Sequence, residues 1–113
     1  MVEYCALQVD KGAVAIVQAL LLDYPRRETL SAALGTIAPE NDRNGIVAFA
    51  RWNERIDEVF QTVDEPLRDG LFQDIAKGRG WTKSPLRQQL NRNAYYRVKN
   101  TLLLRLAKVL IGG

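Results

Sequence analysis

From Ile75 to the end of this 113-residue chain there are nine lysines and arginines and no carboxylate: Lys77, Arg79, Lys83, Arg87, Arg92, Arg97, Lys99, Arg105 and Lys108. Guanidinium and ammonium groups in such density suit phosphate oxygens or another polyanion. The formal net charge of the whole chain is only +3, but its distribution is uneven. Residues 66–113 carry ten basic and two acidic side chains, +8, so residues 1–65 carry −5. Within the basic half, Arg97, Asn100 and Thr101 recur at helical spacing, with Asn93 and Ala94 just ahead of them. Arg and Asn are the side chains that pair bidentately with guanine and adenine edges. Arg79, Lys83, Arg87, Arg92 and Lys99 surround them in sequence and suit the backbone phosphates.

The same inventory excludes other chemistries. The chain has no histidine and a single cysteine, Cys5. Zinc fingers, Ser-His-Asp triads and Cys-His pairs are therefore ruled out, and no internal disulfide can form. Cys5 reads as a small buried or terminal thiol in a reducing compartment. Glu54, Asp57 and Glu58 read as a solvated face, since nothing beside them completes a metal or acid–base site. Gly78-Arg79-Gly80 matches no phosphate-loop fingerprint and reads as a turn. No catalytic residue, cofactor or metal is expected, and the chain reads as a non-enzyme. The longest apolar run, Ala13 to Leu22, is interrupted by Gln18 and is far short of the ~20 residues that span a bilayer. Glu3 and Asp10 make a poor secretory leader. The expected setting is cytoplasmic.

The elements that must position these side chains read as helix almost throughout. Asp10 is a candidate N-cap for a largely buried first helix, Ala13–Leu22, which Pro25 should end. A shorter helix from Arg26 to Leu34 should stop at Gly35, and Thr36 to Asn44 reads as a loop. Phe49, Trp52, Ile56, Val59, Phe60 and Val63 then repeat at three and four, predicting an amphipathic helix over 46–63. Asp64 should cap the next helix, which tolerates Pro66 in its first turn and buries Leu67, Leu71, Phe72 and Ile75. Gly78 is a natural left-handed terminator, and Trp81 should fold back on the core. Ser84-Pro85 starts a short helix to Leu90. Asn91 is the non-glycine residue best able to take positive φ, and Asn93 is a cap for a helix over 94–111. Tyr95, Val98, Leu102, Leu106 and Val109 form its apolar stripe, widened by Leu103 and Leu110. One of Tyr95 and Tyr96 should be core and the other a brace, the alternative being a stacking platform for bases.

The fold class is therefore all-α: a small helical bundle with a C-terminal helix-turn-helix. Residues 1–63 form an acidic N-terminal region for packing or oligomerisation, and 64–113 the basic motif. A helix-turn-helix places the first turns of its second helix in the major groove.

Residues from Asp64 onward resemble the sigma-70 region-4-like helix-turn-helix of phage late-gene transcriptional regulators of the ArpU and RinA type. The likeness rests on Pro66-Leu67-Arg68-Asp69-Gly70-Leu71, Gly78-Arg79-Gly80-Trp81-Thr82, Leu86, Leu90, Asn93-Ala94-Tyr95-Tyr96-Arg97-Val98-Lys99 and the leucine-rich tail from Leu102 to Leu110. It covers under half of the chain. Arg87, Asn91 and Asn93 depart from the small residue, turn glycine and Ser or Thr cap usual at those places. The resemblance implies a sequence-specific activator of phage or prophage late genes. Double-stranded DNA is then the main expected partner, with RNA polymerase and a second copy of the chain as further ones. The other class that fits the charge is a protein-interaction or phage packaging module whose basic C-terminal helix docks an acidic partner.

Overall fold

The computed structural model describes residues 11–37 and 43–111, with side chains assigned for 11–33 and 50–111. The described chain is all-α. Five helices run α1 Lys11–Leu22, α2 Tyr24–Ile37, α3 Arg43–Phe60, α4 Glu65–Lys77 and α5 Arg92–Ile111, with 3-10 turns at Trp81–Lys83 and Pro85–Gln88 before α5. Asp10 lies outside the described residues, as does the centre of the expected 36–44 loop. The side chain of Phe49 is likewise outside them.

Helices α1, α3, α4 and α5 close on one core. Val17 and Leu21 come from α1, Ile56, Val59 and Phe60 from α3, and Leu71, Ile75 and Ala76 from α4. Tyr95, Leu102, Leu103, Leu106 and Leu110 come from α5, with Leu86 added from the second 3-10 turn. Of the expected lines on α3 and α4, Ile56, Val59, Phe60, Leu71 and Ile75 are buried, while Trp52, Val63, Leu67 and Phe72 are half-buried against them. On α5 the buried line is rotated toward Leu103 and Leu110, and Val109 is left 36% exposed. The first helix is less buried than its composition suggests: Ile16 is 49% and Leu22 56% exposed. A helix apolar all round cannot show from sequence which side meets its neighbours.

The first helix ends at Leu22 as expected, and Pro25 falls in the first turn of the next, which opens one residue before it at Tyr24. The missing N–H and the ring of Pro25 are tolerated in the first turn of α2. Backbone bonding bridges the junction, from Asp23 N to Ala19 O at 3.1 Å and from Arg27 N to Asp23 O at 3.0 Å. Arg27, only 2% exposed, ties the junction to α3. Its Nε donates to Asn53 Oδ1 on α3 at 2.9 Å, and a terminal nitrogen donates to the Leu20 carbonyl. Asn53 in turn donates to the Tyr24 carbonyl at 3.1 Å. Gly35 does not end α2, which continues to Ile37; the intrinsic cost of one glycine in a helix is only about 1 kcal/mol.

The ends of the remaining helices show which local signals won. Helix α3 stops at Phe60, and Thr62 and Val63 form a turn bonded to the Val59 and Phe60 carbonyls. Asp64 occupies the N-cap position of α4 without a side-chain capping bond. Gly78 terminates α4 with φ 66° and ψ 33°, as expected of a left-handed residue. Ser84 caps as expected, its Oγ accepting from Leu86 N at 3.0 Å, but the segment it caps is one 3-10 turn and not an α-helix. Asn91 has no positive φ. It is the N-cap of α5, its Oδ1 accepting from Ala94 N at 2.8 Å, and Asn93 lies inside the first turn.

Candidate functional site

The N-terminal half of α5 is held by a buried polar hub. Asp74 on α4 and Tyr95 on α5 are both 0% exposed, and the tyrosine hydroxyl donates to Asp74 Oδ2 at 2.9 Å. Burial and the adjacent carboxylate push the Tyr95 hydroxyl above its ordinary range. Arg79 Nε donates to Asp74 Oδ1 at 3.0 Å, so a buried carboxylate is matched by a guanidinium. Lys99 Nζ donates to the Arg79 carbonyl at 2.6 Å and lies 5.5 Å and 5.9 Å from the Tyr95 and Tyr96 ring centroids. Burial lowers the Lys99 ammonium, partly opposed by the charge on Asp74. Tyr96 braces the loop: its hydroxyl accepts from Trp81 N at 3.2 Å, while Trp81 Nε1 donates to the Leu90 carbonyl at 2.8 Å. Tyr95 is thus the core ring and Tyr96 the brace.

This hub divides the expected phosphate contacts. Arg79 and Lys99 are engaged inside the protein, so neither offers a freely placed cation. Lys83, Arg87 and Arg92 are exposed at the start of α5 and on the loop that leads to it. Arg87 lies over the Trp81 ring at 5.4 Å, and Trp81, Thr82, Lys83, Ser84, Pro85, Arg87 and Gln88 line a polar recess beside it. The side chains of Lys83 and Arg92 make no hydrogen bond or ion pair among the described residues.

The expected base readers share one face of α5. Asn93, Arg97 and Thr101 fall at successive steps of four, with Asn100 beside them and Ala94 at the edge. Asn93 and Arg97 are exposed, while Ala94, Asn100 and Thr101 are half-buried. Arg97 and Thr101 also line a groove against the start of α4. The sequence reading missed Asp74. Its signal was present: Asp74 stands three residues after Leu71 and seven after Leu67, on the buried line of α4.

Of the acidic candidates, Glu54, Asp57 and Glu58 are exposed on α3, but Arg51 and Arg55 are interleaved with them. Asp57 accepts from the Tyr24 hydroxyl at 2.7 Å. Among the described residues, no group of His, Cys, Asp and Glu could hold a metal ion, and no helix is long and apolar enough to cross a membrane. No protein-family model matches this chain, and neither a curated protein nor a solved structure matches it. The fold therefore defines the class, a small all-α protein with one basic end.

Proposed function

We propose that this protein binds double-stranded DNA sequence-specifically and regulates transcription, with the start of α5 as the reading element. The observation that carries the reading is the charge at that helix end. Arg92 occupies its first turn, Lys83, Arg87 and Arg97 are exposed around it, and the first turn holds no acidic residue. A helix N-terminus already bears partial positive charge, and a cation there costs typically about 0.3–1 kcal/mol at low salt. A bound polyanion reverses that cost, and phosphate groups favour both the side chains and the exposed amides. Asn93 and Arg97 then face outward from the turns that would meet base edges. The resemblance to phage late-gene regulators suggests the genes concerned, with RNA polymerase as a further partner. The 3-10 turn at Pro85–Gln88 would take the place of the first helix of the motif.

Gel-shift assays on fragments of a bacterial host genome and its prophages test this directly. At least one fragment should be retained better than random duplex at moderate salt. Equal retention of every fragment would remove sequence specificity, and no retention would remove DNA binding.

A further inference from the structure

The start of α4 and the middle of α5 enclose a groove of about 310 Å³ lined by Thr62, Val63, Asp64, Leu67, Arg97, Val98, Thr101, Leu102 and Arg105. Its floor is apolar: Val63, Leu67 and Val98 are half-buried, and Leu102 is core. Two guanidinium groups stand on the α5 wall, eight residues and therefore about 12 Å apart along the axis. Arg105 is already oriented, its NH1 donating to Thr62 Oγ1 at 2.8 Å while that hydroxyl donates to the Val59 carbonyl at 2.6 Å. Arg97 is exposed, and its side chain makes no hydrogen bond or ion pair among the described residues. Asp64 is the one carboxylate of the lining, so two cations face one anion across an apolar trough.

We propose that this groove docks an acidic amphipathic segment of another protein, its apolar side chains entering between Val63, Leu67 and Val98 and its carboxylates pairing with Arg97 and Arg105. Charge complementarity selects this occupant. An apolar helix face in the trough would leave Arg97 beside it without a counter-charge, and a basic one would be repelled by both arginines. Arg forks bind carboxylates bidentately, and Arg is over-represented where such recognition matters. Removal of apolar floor and guanidinium stems from water supplies affinity, while the two forks fix register. DNA reading uses Arg97 and Thr101 as well, so an occupied groove and base contact at those residues exclude one another. The docking itself does not depend on DNA being a ligand.

Panning a displayed random-peptide library against the immobilised full chain, without DNA, tests the proposal. Peptides combining apolar residues with Glu or Asp should be enriched. Synthetic versions should bind at least about tenfold more weakly to Arg97→Glu, the scale of a truncated interface anchor. Thr101→Trp, which fills the trough from a half-exposed position, should weaken them equally, with circular dichroism and thermal melts showing both variants folded. Enrichment of nothing, of basic peptides, or of peptides indifferent to both substitutions would overturn it. So would self-association at micromolar concentration that Thr101→Trp abolishes, which would assign the groove to a second copy.

Discussion

Tyr95 donates its hydroxyl proton to Asp74 at 2.9 Å with neither residue exposed to solvent, so the longest helix is tied to α4 by a polar bond inside an apolar core. Removing that donor leaves a carboxylate oxygen buried without it. Tyr95→Phe should destabilise the fold by about 1–3 kcal/mol, read as a lower urea midpoint.

The same pair sets an alkaline limit. The folded state raises the Tyr95 hydroxyl above its ordinary value of 10.0, and burial with Asp57 does the same for Tyr24. Folded protein therefore retains protons that unfolded chain releases above that pH. Their contribution is complete below about pH 10 and is lost as pH rises beyond it. Urea midpoints measured across that range should fall in the native protein and fall less steeply in Tyr95→Phe.

Gly70 on α4 lets the second 3-10 turn approach closely. A methyl group there would sit 2.7 Å from Leu86 Cγ. Gly70→Ala should lose roughly 1–3 kcal/mol to overpacking, more than the ~1 kcal/mol gained in helix propensity. An increase in the urea midpoint would show that Leu86 retreats at no cost.

The capping assignment separates two asparagines. Asn91→Ala should cost about 1 kcal/mol by removing the bond to Ala94 N. Asn93→Ala should leave that cap intact, changing DNA retention more than stability. Equal melting shifts for both would undo the distinction.

DNA binding, if sequence-specific, should divide its mutants into three kinds. Arg97→Ala and Asn100→Ala should lower discrimination between sites by roughly 1–3 kcal/mol each. Lys83→Ala and Arg92→Ala should weaken all sequences alike, each reducing the salt slope by about 1. Lys99→Ala should leave the slope unchanged and lower stability, because its ammonium is held by the Arg79 carbonyl. Filter-binding titrations at several salt concentrations report all three.

Helical character, the core lines of α3 and α4, the Gly78 terminator and the Ser84 cap are all legible in the amino-acid order. Each depends on residues within a few positions of one another, so local spacing and backbone preference suffice. The charge division that motivates the candidate site is legible there too. Contacts between helices settled the rest. How the first two helices are tied to α3 depended on Arg27 reaching Leu20 and Asn53. The choice of Asn91 over Asn93 as cap shows only in the bond from Ala94 N to Asn91 Oδ1. The separation of cations into free and engaged depended on Asp74 meeting Arg79 and on the Arg79 carbonyl meeting Lys99. A lysine or arginine looks the same in sequence whether it meets solvent or a carbonyl from a distant turn. Only the packing of α4 against α5 decides which, because the competing partners are brought together by contacts far apart along the chain.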